Sequence, residues 1–224
     1  MNQLISSQLI SSAAITFVAL FPIANPIGVI PTFYSLTGEE TPRRRFRQAR
    51  QIAVNVIVVL AIFLVAGRLI LDLLGLSLGV LQITGGLLVA HTAWAIVTAQ
   101  PSLLSPGADS GKGKDFTLIP MAFPIISGPG AIGMVVGLIA KDPQPIKYAG
   151  SLLGIAGIGA LVYICLALGE PLLRLLGRSG VDAFTRMLGF FILAIAIQLT
   201  IDGTLSVLQE FPLAELSIFP ASAH

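Results

Sequence analysis

The sequence predicts an all-α membrane protein: six transmembrane helices built as two inverted three-helix repeats, with the first and fourth helices broken mid-membrane. Three observations predict it. The 224-residue chain is 55% hydrophobic and only 11% charged, with a mean hydropathy of +0.91, whereas a soluble domain carries roughly 25% charged residues. Long stretches hold no Asp, Glu, Lys or Arg at all, the longest being Met1 to Gly38 and Leu73 to Ala108. A ten-residue pattern in the first apolar stretch also recurs 102 residues later.

A helix that crosses the hydrocarbon needs about 20 mainly apolar residues. On that measure the spans fall at about 9–35, 51–72, 79–99, 117–140, 148–170 and 185–207. The whole chain, 1–224, reads as a single membrane domain without a soluble part: repeat 1 at about 9–99, a linker at about 100–116, repeat 2 at about 117–207, and a short C-terminal tail. The linker is rich in Pro, Ser and Gly, the composition of turns. Met1 to Ser12 has no basic residue and mixed polarity, which argues against a cleaved signal peptide.

Basic residues set the expected orientation. Loop one carries Arg43, Arg44, Arg45, Arg47 and Arg50; loop three carries Lys112 and Lys114; loop five carries Arg174, Arg178 and Arg186. These loops share one side and hold ten of the thirteen basic residues. The expected location is therefore the cytoplasmic (inner) membrane, multi-pass, with both termini outside, in the periplasm. The arginines also suit lipid headgroups, and Trp94 suits an interfacial anchor. A net charge of +2 gives no ground for a nucleic-acid partner.

Phe21-Pro-Ile-Ala-Asn-Pro-Ile-Gly-Val-Ile30 overlays Phe123-Pro-Ile-Ile-Ser-Gly-Pro-Gly-Ala-Ile132, five positions of ten coinciding. Gly85 and Gly189 pair at a similar offset. Three spans per repeat is an odd number, so the second repeat enters the membrane from the opposite side, the arrangement of many secondary transporters.

Within the repeat, Asn25-Pro26-Ile27-Gly28 interrupts the first span and Ser127-Gly128-Pro129-Gly130 the fourth. Proline removes a helix donor and glycine weakens the helix. Open backbone groups are not tolerated against lipid, so both interruptions should face protein or a water-filled cavity. There, N–H groups at a half-helix start bind a carboxylate, and C=O groups at a half-helix end bind an ammonium. The candidate substrate-binding residues are therefore Asn25, Pro26, Gly28, Ser127, Gly128, Pro129 and Gly130. The plainer reading is a pair of kinks that serve packing.

Other polar residues lie in the apolar spans. His91 is either a proton relay or a packing histidine, and Asp202 is either a coupling carboxylate or a helix-end residue. Thr84 and Gln198, with Gln82, Thr200 and Asn55, either line a polar cavity or bond between helices. Gly150, Gly154 and Gly157, and Gly133 with Gly137, have the spacing of close helix packing. Cys165, the only cysteine, excludes an intramolecular disulfide and reads as a packing residue. No HExxH, GxSxG or P-loop pattern occurs, which argues against an enzyme, and no metal-ligand set stands out.

The Asn-Pro-Ile-Gly motif after its Phe-Pro-Ile lead, the arginine-bearing first loop, Gly85-Gly86, Ser127-Gly128-Pro129-Gly130-Ala131-Ile132 and the stretch from Gln198 to Gly203 resemble the MarC family of membrane proteins, over about 9–207. The resemblance implies a transporter like the SnatA-type members, which carry small neutral amino acids (alanine, glycine). It implies no cofactor beyond a coupling proton or sodium ion. The expected partners are that amino acid and the lipid bilayer, with homo-oligomers left open. Export or facilitation of other small solutes or drugs, or a channel, stands as the alternative.

Overall fold

The computed structural model describes residues 2–38, 40–98, 117–140 and 143–210, with no strand among them. The basic residues Lys112 and Lys114 of the linker, and the C-terminal tail, lie outside the described residues. Helix α1 (Asn2–Ala24) is followed by a turn and the short α2 (Ile30–Leu36). Then come α3 (Pro42–Leu74) and α4 (Leu78–Thr98). An irregular wide-turned segment, Thr117–Ile126, leads into α5 (Pro129–Ala140), α6 (Pro145–Ala167) and α7 (Gly169–Glu210).

Among the described residues, five helical stretches are long and apolar enough to cross a membrane: Ile5–Ala24, Pro42–Leu74, Leu78–Thr98, Pro145–Ala167 and Ser179–Gln209. Over the expected fourth span, read from the sequence as broken at Ser127–Gly130, the described residues form two short pieces. Pro120 and Pro124 bias the residue before each of them to extended backbone. Ile119 (φ −122°, ψ 123°) and Phe123 (φ −136°, ψ 128°) adopt it.

Two boundaries differ from the sequence reading. The arginines expected in loop one lie in the first turns of α3. Thr41 is extended (φ −66°, ψ 151°) and Pro42 opens the helix, where its missing N–H costs nothing. Arginine is a good helix former, and Gln48, Ala49 and Ile52 on the same turns are buried, so packing carries the helix outward past the apolar run. Likewise Arg174 is helical. α7 begins at Gly169 with an exposed Glu170–Arg174 pair and breaks at Gly177, whose φ of 66° and ψ of 166° only glycine adopts readily.

Glycines set how the helices dock. Along α6, Gly150 meets Leu9 and Ser12 of α1, Gly154 meets Ala13 and Thr16, and Gly157 meets Phe17, so the two helices run parallel. Thr16 Oγ1 donates to Ser151 Oγ at 3.0 Å inside that contact. α4 and α7 run antiparallel: Gly79 meets Gly203 and Val207, Gly86 meets Ala196 and Thr200, and Gly189 meets Ile96 and Val97. α5 is antiparallel to α4, with Gly85 at Pro129 and Gly133 at Leu81.

One buried core joins α1, α2, α3, α5 and α6 through Leu20, Phe33, Ile52, Leu60, Met121, Val135, Ile158 and Leu166. A smaller one, Val89, Ala93, Ile192 and Ala196, joins α4 to α7. The outer face of α3 exposes Val54, Val58, Ile62, Val65, Leu69 and Leu73, a continuous apolar stripe at helical spacing. A stripe of that kind needs lipid as its solvent.

Candidate functional site

At the first interruption Asn25 ends α1 with a φ of 42°, the only non-glycine residue with positive φ among the described residues. Asparagine tolerates this region better than most residues. Its N–H donates to the carbonyls of Phe21 and Pro22, both at 3.1 Å. Its Oδ1 accepts from Gly28 N at 3.1 Å, and its carbonyl accepts from Val29 N at 3.3 Å. The Asn25 amide is packed against Gly28, where a β-carbon would collide with it. Asn25 thus closes one half-helix and shapes the turn into the next.

The second interruption is built differently. Ser127 N donates to Ala122 O at 2.8 Å, one residue wider than an α-turn. Gly128 O accepts from Ile132 N at 3.1 Å and so caps the start of α5. Pro129 has no donor to leave open, so Gly130 and Ala131 carry the N–H groups that have no acceptor within that helix.

Both interruptions meet at one cavity of about 400 Å³. The end of α1 (Ile23, Ala24) with Asn25, the turn before α2 (Gly28, Val29), the end of the irregular segment (Ile125, Ile126), and Gly128 with the start of α5 (Pro129 to Ala131) all border it. Its remaining wall is Thr32, residues of α4 (Leu88, Val89, His91, Thr92, Ile96) and Thr185 and Ile192 of α7. Among the described residues, no Asp, Glu, Lys or Arg lines it. The positive end of the α5 dipole and the negative end of the α1 dipole therefore provide its fixed partial charges. Thr185 Oγ1 has no hydrogen-bond partner among the described residues.

The cavity lies toward one end of the bundle. Thr32 leads through α2 to Tyr34, whose hydroxyl accepts from Glu170 N at 2.9 Å and donates to Leu166 O at 3.3 Å. Arg45 sits 3.8 Å from the Glu170 carboxylate and 5.4 Å from the Tyr34 ring centre. It also donates to the carbonyls of Thr37 and Gly38, both at 3.0 Å. The starts of α3 and α7 thus share this end with the cavity.

A second cavity, about 260 Å³, lies beyond the interruptions toward the opposite end. Ala19, Gln82, Met134, Gly137, Leu138, Ile195, Gln198, Leu199 and Asp202 line it. Between the two cavities α4 and α5 touch closely, Gly85 lying near Pro129 O and Gly130 against Val89.

The sequence-derived residues are thus distributed unevenly. Asn25, Gly28, Gly128, Pro129, Gly130 and His91 border the larger cavity. Pro26 is buried but is not on its wall, and Ser127 is fully buried off its wall, its Oγ without a hydrogen-bond partner among the described residues. Gln198 and Asp202 line the smaller cavity and bond to each other, Nε2 to Oδ1, at 2.7 Å. Thr84 is exposed, donates to Val80 O at 2.9 Å and borders neither cavity. Sequence reasoning did not find Thr32, Thr92 or Thr185. A lone threonine in an apolar helix carries no signal of which face it takes.

Comparison with known proteins fits this architecture. The model of the MarC family integral membrane proteins matches residues 10–208. A UPF0056 membrane protein of Pyrococcus abyssi is 32% identical over 196 residues, covering 88% of this chain and 96% of the relative. A counterpart from Pyrococcus horikoshii is 30% identical over 194 residues, 87% and 94% of the two chains. The inner membrane protein MarC of Escherichia coli is 26% identical over 217 residues, 91% and 98%. No solved structure matches the chain. Broken helices around a shared cavity, lipid-facing apolar stripes and a family match along almost the whole length lead to one conclusion: the chain belongs to the MarC family of integral membrane proteins.

Proposed function

We propose that this protein is a secondary active transporter of small neutral amino acids, alanine and glycine, working by alternating access across the cytoplasmic (inner) membrane and driven by a proton or sodium gradient. One observation carries the reading: the end of α1 and the start of α5 border the same cavity, whose lining among the described residues includes no Asp, Glu, Lys or Arg. The N–H groups of Gly130 and Ala131 suit a carboxylate, and the carbonyl end of α1 suits an ammonium. A zwitterion satisfies both at once, and a ligand with net charge satisfies only one. The Asn25 Oδ1 is used within its own turn, so the amide Nδ2 is the end that donates to a ligand.

The helix packing supports two inverted three-helix repeats. α1 pairs with α6, and α3 pairs with α5 and the segment before it, which is the same contact with the repeats exchanged. α4 and α7, the last helices of each repeat, pair antiparallel with each other. On this reading the first span is α1 with α2 and the fourth is the irregular segment with α5. The larger cavity then opens toward the arginine-bearing side, taken as cytoplasmic, and both termini lie outside.

The test is uptake of labelled alanine and glycine into proteoliposomes, with and without a pH or sodium gradient. Saturable, gradient-stimulated uptake is expected. Its absence across a panel of small amino acids would remove the reading.

A second reading draws on the apolar part of the wall, Ile23, Val89, Ile96, Ile125 and Ile192, which suits export of an amphipathic solute or drug. A thermal-shift screen separates the two, because only ligands of the folded state raise the melting temperature.

A further inference from the structure

The smaller cavity contains a buried acceptor that its protein surroundings leave unanswered. Gln82 is 3% exposed, and its Oε1 has no hydrogen-bond partner among the described residues. Two glycines make room for this side chain. A β-carbon on Gly137 would lie 2.8 Å from Gln82 Nε2, and one on Gly203 would lie 2.9 Å from Gln82 Cβ. Leucine at the position would suit the apolar neighbours Met134, Leu138 and Ile195 better than an amide does. Buried polar groups normally have partners, and an orphan carbonyl asks for one from outside the chain.

Across the same cavity, Gln198 Nε2 donates to Asp202 Oδ1 at 2.7 Å. This bond uses the amide's donor end and leaves Gln198 Oε1 as an acceptor. It also fixes the carboxylate one helical turn along the same face. The cavity therefore offers oxygen donors from Gln82, Gln198 and Asp202, with no lysine or arginine among the described residues on its wall.

Oxygen-only donors favour a hard cation over a transition metal. A single carboxylate with two neutral amide oxygens carries one negative charge. That matches a monovalent ion, whereas calcium sites gather more carboxylates and six to eight oxygens. We infer that the smaller cavity is a sodium-ion site, formed by Gln82 Oε1, Gln198 Oε1 and the Asp202 carboxylate, on the far side of the helix interruptions from the larger cavity. The inference deepens the transport reading by assigning the coupling ion and its place. The ion and the amino acid then occupy separate chambers, divided by the contact of Gly85 and Gly130 with Pro129 and Val89.

The test is binding of radioactive sodium to the purified full-length protein in detergent at neutral pH, with choline holding the ionic strength constant. Saturable binding that unlabelled sodium displaces, and potassium displaces at least ten-fold less well, is expected. Asp202→Asn and Gln82→Leu should each weaken it at least ten-fold, and Gln82→Glu should retain it. Alanine-induced thermal shift, measured on the same samples, reports the larger cavity and the fold. If alanine still shifts the wild-type protein but sodium does not bind, or binds equally to Asp202→Asn and Gln82→Leu, the sodium site is overturned while amino acid binding stands. If sodium binds as expected and alanine gives no shift, the substrate assignment fails and the ion site stands.

Discussion

Gly130 lies so close to Val89 that a β-carbon on it would fall on the valine Cγ2. Both residues line the larger cavity, where α4 and α5 meet at the level of the second helix interruption. Gly130→Ala should push α5 away from α4 and destabilise the protein by about 1–3 kcal/mol, the usual range for overpacking. Val89→Ala should relieve the clash, so the double variant should recover most of the loss. Melting temperatures of the four proteins in detergent measure this. Equal destabilisation with and without Val89→Ala would mean the contact is not the cause.

Asn25 serves both the turn and the cavity, and three substitutions separate the roles. Asn25→Gly should keep the positive φ at small cost but lose the bond to Gly28. Asn25→Ala should lose that bond and add backbone strain, about 1–2 kcal/mol for the strain alone. Asn25→Asp should keep the acceptor for Gly28 N and so keep most of the stability, while losing the Nδ2 donor. Alanine uptake should fall at least several-fold in Asn25→Asp if Nδ2 faces substrate. Unchanged uptake would confine Asn25 to shaping the turn.

Thr16 and Ser151 satisfy each other where α1 and α6 pack in parallel. Removing one hydroxyl leaves the other buried, at a cost of about 1–3 kcal/mol, whereas removing both is nearly neutral. Thr16→Val and Ser151→Ala should therefore each destabilise more than the double variant does. Denaturant unfolding in mixed micelles gives the cycle, and simple additivity would show that the two hydroxyls do not depend on each other.

Tyr34 ties α2 to the joint between α6 and α7 through two backbone groups. Tyr34→Phe should cost about 1 kcal/mol, the net worth of a typical hydrogen bond. Arg45→Lys should lose the fork that reaches Thr37 O and Gly38 O together. Arg44→Ala removes only a partly exposed pair with Glu40, just before α3, and should change stability by less than about 0.5 kcal/mol. The same unfolding assay ranks the three, and a loss in Arg44→Ala equal to that in Tyr34→Phe would contradict the assignment.

Local chemistry explains which parts of this molecule could be read from the chain. Pro22 and Asn25-Pro26, and Pro124 with Gly128-Pro129, mark both interruptions because proline and glycine act on their own backbone, whatever surrounds them. The ends of α3 were less legible, because Gln48 and Ala49 extend it by packing against distant helices. His91 was visible as a lone ionisable group in an apolar helix. Thr84 and Thr92 look alike in sequence, yet only Thr92 borders the larger cavity. The docking of α4 against α5 and α7 decides that difference. Thr185 was hidden for the same reason: its importance comes from α7 lying beside α4, a relationship over nearly a hundred residues.

The shortness of α5 has an electrical consequence. Its twelve residues rise only about 18 Å, well under the roughly 30 Å of hydrocarbon. On the transport reading, water in the larger cavity should shift the membrane voltage drop onto the layer that α5 spans. A full elementary charge crossing 100 mV gains about 2.3 kcal/mol. An ion stepping past Gly130 would collect most of that energy in a single short movement. Substrate-evoked currents should therefore steepen with voltage, and a flat current–voltage relation would place the potential drop elsewhere.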